Sequence, residues 1–171
     1  IPPQNFTIYY SGSFSSMTPL QPLLRAVSGV NKKHKISIVV SIATNLSLKK
    51  IKNVYPEGYH NGYVKFLGFL PHKENILNFS KANLLAISLA NNKLTADFVY
   101  SGKLLEYINA DTPILLLNNS TSAAAKLIEK THSGFCVNID SQKDIQDLLF
   151  KLYSQWKKEK KLFQIQITKF P

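Results

Sequence analysis

An α/β fold, a Rossmann-like doubly wound parallel sheet of about six strands with helices on both faces, is what the sequence predicts, on three observations. Short β-rich runs alternate with helical segments along the chain. The longest apolar runs, such as Ile114–Leu117, have the length of buried strands and fall well short of the ~20 residues that span a bilayer. The 171 residues, 44% of them hydrophobic, suit one domain, residues 1–171, with a sizeable core. Strand–helix–strand units with right-handed crossovers then lay the strands in parallel and cover both faces.

The first strand is expected over Phe6–Tyr10, ending in Ser11-Gly12-Ser13. A helix follows over Pro19–Val27, with Thr18 as N-cap and Pro19 at the first helical position. Ile36–Ile42 is β-branched and reads as the second strand. Leu46–Val54 reads as a short helix, and Val64–Leu67 as a third strand closed by Gly68. Pro71 introduces a helix over His72–Ser80, and Leu84–Leu89 is the fourth strand. Ala90–Tyr100 is polar and aperiodic, the longest loop after a strand. Gly102–Asn109 is a helix, Pro113–Leu117 a fifth strand, Ser120–Lys130 a helix and Gly134–Ile139 a sixth strand. Ser141–Lys158 is the last long helix, and Ser141-Gln142-Lys143-Asp144 is close to a capping box, with Asp in place of Glu. The tail, Leu162–Pro171, alternates with period two and reads as an added edge strand or a docking segment.

Charge and composition narrow the function. The net charge of +11 favours anionic partners, with the densest lysine cluster at Lys157, Lys158, Lys160 and Lys161. One cysteine, Cys136, excludes an internal disulfide framework and, between Phe135 and Val137, reads as a small buried residue rather than a reactive thiol. Four scattered histidines offer no metal-ligand spacing, so no metal is expected. The start, Ile1-Pro2-Pro3-Gln4, does not read as a signal peptide; without an initiator Met, it implies sequence upstream.

In a doubly wound fold, ligands bind at the carboxyl ends of the strands. The candidate loops are therefore Ser11–Thr18, Ala43–Asn45, Gly68–Pro71, Ala90–Ser101, Asn118–Thr121 and Asp140. In the first, Gly12 lets backbone approach a phosphate as a strand turns into a helix. An ordinary strand–helix turn is the alternative, since there is neither GxGxxG nor a Walker lysine. In Ser101-Gly102-Lys103-Leu104-Leu105-Glu106, the first residues open a helix whose free amides point at the crevice. Glu106 stands where a carboxylate accepts two hydrogen bonds from a ribose diol; a solvent-facing Glu balancing the helix dipole is the alternative.

The string Ser101-Gly102-Lys103-Leu104-Leu105-Glu106-Tyr107-Ile108-Asn109-Ala110-Asp111-Thr112-Pro113-Ile114-Leu115 resembles the S-K-L-x-E-Y-x-x-x-x-x-P-I-L signature of group 1, retaining, GT-B glycosyltransferases. Other segments resemble the family in the same order. They are Tyr10-Ser11-Gly12-Ser13 with Leu23-Leu24-Arg25-Ala26, Val64 to Glu74 with its Gly68 and Pro71, Ala82-Asn83-Leu84-Leu85 with Asn for the usual Asp, and Ser133-Gly134-Phe135 with Asp140. The resemblance runs from about Phe6 to Leu152 and covers the family's C-terminal, sugar-nucleotide-binding domain.

That resemblance implies two Rossmann-like domains facing a cleft, with an N-terminal domain on the acceptor side and no metal. It implies that Glu106 binds the ribose hydroxyls. The backbone of Ser101, Gly102, Lys103 and Leu104, with Gly12 and Ser13, would face the diphosphate, and Phe69, Leu70 and Pro71 would frame the base. Two departures stand out. Phe98 occupies the place of a donor-sugar Glu, with Asp97 out of register; Ser13 and Met17 stand roughly where the family carries an Arg and a Lys, for which Lys103 compensates.

The expected partners are a nucleoside-diphosphate sugar, the N-terminal domain and, through the lysines, an anionic membrane at the inner face of the cell membrane, with a cytoplasmic location and no cofactor. No catalytic residue is assigned. A nucleic-acid-binding module would want a basic stripe interleaved with aromatics, whereas these lysines are dispersed. A receiver would want an acidic cluster after the first strand, and a free-standing nucleotide-binding protein is the remaining alternative.

Overall fold

A computed structural model describes residues 5–13, 15, 19–54, 56, 61–91 and 102–159, and among these six strands alternate with six helices. They are β1 (Phe6–Ser11), α1 (Gln21–His34), β2 (Ile38–Ala43), α2 (Leu48–Val54), β3 (Val64–Gly68), α3 (His72–Phe79), β4 (Leu84–Ser88), α4 (Gly102–Ile108), β5 (Ile114–Leu117), α5 (Ala123–Thr131), β6 (Gly134–Val137) and α6 (Gln142–Glu159). All pairings are parallel, in the order β3-β2-β1-β4-β5-β6. The expected doubly wound sheet is therefore present, and its direction reverses between β1 and β4, the switch point of such folds.

Alternate strand residues feed two cores. Phe6, Ile8 and Tyr10 of β1 join Leu23, Val27, Leu149 and Trp156 of α1 and α6 on one face. Tyr9, between them, faces Phe79, Leu104, Tyr107 and Ile128 of α3, α4 and α5 on the other. Edge-on ring contacts fill both layers, with Phe6–Trp156 centroids 5.5 Å apart and Phe79–Tyr107 4.9 Å apart. Cys136 is partly buried and burial pushes its thiol up to about 11, in keeping with a packing residue.

Element boundaries depart from expectation where backbone geometry overrides composition. Helix α1 begins two residues after Pro19, behind Leu20, which offers no side-chain cap; Pro22 sits in its first turn, and Thr18 lies outside the described residues. It then runs seven residues past Val27, because the stop is a left-handed Lys35 (φ 53°) rather than a glycine. Strand β2 accordingly starts at Ile38, not Ile36. Helix α5 starts at Ala123, because Ser122 accepts from the Ala125 amide and so is the residue that caps it. Ser141 caps α6 through the Asp144 amide, as its motif suggests. The tail from Leu162 lies outside the described residues.

Two asparagines complete the sheet where strands have no partner. Asn83 donates its amide to the Thr7 carbonyl and accepts the Thr7 amide on Oδ1, both at 2.8 Å, extending the β1–β4 pairing by a side chain. Only an acceptor is needed there, which explains why Asn serves where the resembled family has Asp. Asn31, buried in α1, accepts the Ile38 amide at 2.9 Å and donates to the Ile38 carbonyl at 2.8 Å, before β3 begins pairing at Val40. Asn31→Ala leaves two buried backbone groups unpaired and is expected to cost about 2–4 kcal/mol, read from the urea midpoint.

Candidate functional site

The carboxyl edge of the sheet is continued beyond the strands by a relay of backbone bonds. The Gly12 amide donates to the Ala43 carbonyl at 2.9 Å, and the Thr44 amide to the Gly68 carbonyl at 2.8 Å. The turns after β1, β2 and β3 thus lie in one row, with the Gly12 and Gly68 turns two strand spacings, about 10 Å, apart. Both glycines have positive φ, 131° and 72°, which lets each chain leave its strand sharply. The Gly12 amide is spent on the sheet, so what Gly12 offers a ligand is its missing side chain.

That space is filled from across the switch point. A Cβ at Gly12 would collide with Lys103 Nζ, and would lie 3.6 Å from Lys103 Cε. Lys103 belongs to α4, which packs on the face opposite Tyr10, yet its ammonium sits 5.5 Å from the Tyr10 ring centroid. The side chain therefore crosses the end of β1 through the space a residue larger than glycine would block. Burial lowers the Lys103 pKa, and the nearby Glu106 charge opposes the shift. A half-buried cation beside a glycine turn has the chemistry that suits an anion.

The remaining residues arrange around this pair. Gly102 is exposed at the first position of α4. The Leu104 side chain is fully buried among Tyr107, Phe79 and Ile128 and packs the helix onto the core. Glu106 is exposed on the same helix. Helices α3 and α4 share one core, so the start of α3 and the start of α4 open on the same side of the sheet's carboxyl edge. At the start of α3, Pro71 is exposed, Leu70 is packed against the core, and Phe69 is 74% exposed, a face on which a base can stack. Ser13 is exposed, with its carbonyl turned toward the Tyr10 hydroxyl at 3.0 Å. The structure thus brings Gly12, Ser13, Gly102, Lys103 and Glu106 to one edge, with Leu70 and Pro71 flanking. Ser101, Asp97, Phe98 and Met17 lie outside the described residues.

Beneath the site lies a polar layer that sequence reading did not single out. Ser11 Oγ is 3.2 Å from the Tyr107 hydroxyl, and the Tyr9 hydroxyl donates to Asn75 Oδ1 at the base of α3. Burial pushes the Tyr9 hydroxyl up to about 12 and the Tyr107 hydroxyl higher still. The serine–tyrosine pair is 96 residues apart in sequence, and no local signal announces it. The loops after β4 and β6 are also joined, by Asn91 Nδ2 donating to Asp140 Oδ2 at 2.5 Å. Among the described residues, no group of three or more His, Cys, Asp or Glu is placed to hold a metal ion, and no helix is long and apolar enough to cross a membrane.

Comparison with solved structures finds this architecture elsewhere. The C-terminal domain of a group 1 glycosyl transferase, LpcC of Francisella tularensis, superposes with a TM-score of 0.69 at 16% identity, over 93% of this chain and 80% of that one. The chain has the fold of a GT-B C-terminal domain. HepE of Anabaena, in complex with UDP-glucose, matches this GT-B fold with a TM-score of 0.67 at 16% identity, over 93% of this chain and 42% of HepE. WaaG, a glycosyltransferase involved in lipopolysaccharide biosynthesis, matches with 0.67 at 14% identity, over 96% and 46%. The GT-B-like chain thus spans less than half the length of HepE and WaaG. No protein-family profile matches its sequence, and neither does the sequence of any characterised protein.

Proposed function

We propose that this chain is the donor-binding half of a glycosyltransferase that moves a hexose from a nucleoside diphosphate to a polysaccharide or glycoconjugate acceptor. The observation that carries the reading is Lys103 reaching across the switch point into the space above Gly12. A cation and a glycine turn at the carboxyl edge of β1 suit a diphosphate. The solved complexes of HepE with UDP-glucose and with UDP support the ligand class. In this proposal Glu106 takes the ribose diol, and Phe69, Leu70 and Pro71 frame the base. Gly12, Ser13, Ser101, Gly102, Lys103 and the Leu104 backbone hold the diphosphate. Stabilising the departing phosphate is the chemical contribution of this half. An N-terminal domain of the same protein supplies the acceptor side, and the lysine-rich surface rests on the anionic inner face of the cell membrane, in the cytoplasm.

The test is calorimetric titration of UDP, GDP, ADP and CDP into the purified chain, followed by Glu106→Ala with the nucleotide that binds. Losing a charged acceptor for the ribose is expected to weaken binding by ~1.5–3 kcal/mol, roughly 10- to 150-fold. The deoxyribose analogue, already lacking one hydroxyl, is expected to lose less. Equal affinity of mutant and wild type for the ribonucleotide removes Glu106 from the site.

A further inference from the structure

Tyr10 touches both halves of the anion subsite from below. It is the penultimate residue of β1 and only 3% exposed. Its hydroxyl donates to the Ser13 carbonyl at 3.0 Å, and its ring lies under the Lys103 ammonium, 5.5 Å from centroid to Nζ. The same hydroxyl is 4.0 Å from the position a Gly12 Cβ would take. We infer that Tyr10 is a positioning residue for the diphosphate: one side chain sets the orientation of Ser13 and the location of the cation. The inference rests on the donor-site reading and extends it to a residue that need not touch the ligand.

The physical case has two parts. Gly12, at φ 131°, occupies backbone space that L-residues rarely adopt, so local preference alone does not fix where the chain points next. A tether at the next residue does so: the Ser13 carbonyl accepts from the Tyr10 hydroxyl, which occupies that partial negative charge. An anion site needs its carbonyls averted, since each one facing the ligand repels it. The second part concerns Lys103. A lysine has four side-chain torsions, and holding its ammonium costs entropy unless something offsets it. The electron-rich ring face of Tyr10 provides an attraction at one defined place. Because the ring stays behind the ammonium, an arriving phosphate can approach from the solvent side without breaking the contact.

Tyr10→Phe separates the two parts, since it removes the tether and keeps the ring in an apolar layer that accepts Phe. Tyr10→Leu removes both. The probes are whichever of UDP, GDP, ADP and CDP binds the wild-type chain, and the matching nucleoside without phosphates, with affinities taken by calorimetry and ligand-observed NMR. Tyr10→Phe is expected to weaken the diphosphate about three- to tenfold, one lost hydrogen bond's worth, and to leave the nucleoside within twofold. Tyr10→Leu is expected to weaken the diphosphate further, again sparing the nucleoside, in chains whose circular dichroism matches wild type. An equal loss for both probes assigns Tyr10 to general packing and overturns the inference, as does unchanged diphosphate affinity in Tyr10→Phe. If the wild-type chain binds none of the four nucleotides, the donor-site reading itself fails, an outcome distinct from either.

Discussion

Gly134→Ala is expected to destabilise the chain by about 3–5 kcal/mol, a large share of the 5–15 kcal/mol that a domain of this kind has to lose. Gly134 opens β6 and pairs with Ile114 of β5. A Cβ there would lie 2.6 Å from the Ile114 nitrogen and 2.7 Å from its carbonyl carbon, and closer still to its oxygen. The obstacle is backbone of a fully buried strand, which cannot rotate aside as a side chain does. Relief requires moving β6, and β6 places Phe135 and Val137 against α1 and α6. The change therefore loosens one core, not one contact. Gly102→Ala is the control: among the described residues nothing lies within 4 Å of its added Cβ, and at the first helical position it is expected to move stability by no more than about 0.5 kcal/mol. Urea denaturation of the two variants reads the contrast directly; equal midpoints would mean that β6 slides freely against β5.

Much of this fold is legible in the sequence because it depends on local pattern. Strand-length apolar runs between helical segments fix the number and type of elements, and the parallel sheet follows from their alternation. Boundaries are less legible. Asn118-Asn119-Ser120-Thr121-Ser122 offers several residues able to cap α5, and only the three-dimensional path selects Ser122. The end of α1 is hidden because Lys35 takes a left-handed conformation without the glycine that would mark it. Of the site, the parts legible are those near strand ends: the Gly12 turn, Gly102 to Glu106, and Phe69 to Pro71. What is not legible is their mutual reach. That Lys103 needs a glycine at position 12, or that Tyr10 contacts them both, depends on β1 and β4 being neighbours, a non-local fact.

The 171-residue chain alone is expected to transfer no sugar, while still binding nucleotide. The described strands and helices run from Phe6 to Glu159 and form one sheet with its two covering layers, which in the proposed reading is one wall of a cleft. The resemblance implies a second such wall, whose closure would exclude water from the donor. In that reading a diphosphate resting on Gly12 and Lys103 alone stays solvated, and Phe69 stays exposed. The acceptor is not positioned at all, and positioning accounts for ~7–11 kcal/mol of barrier lowering in well-oriented reactions. Among the described residues, no histidine stands at the Gly12–Lys103 turn. His34 ends α1 at the opposite edge of the sheet, stacked on Phe150 with ring centroids 3.7 Å apart; His132 ends α5 at that same edge; His60 lies outside the described residues. His72 is exposed at the start of α3, on the proposed base side. Stopped-time assays with labelled UDP-glucose, GDP-mannose or another nucleotide sugar, with and without an N-terminal GT-B domain joined upstream, decide the matter. Activity is expected in the joined protein alone. Sustained turnover by the isolated chain would show that one wall suffices and that the proposed division of labour between two domains is wrong.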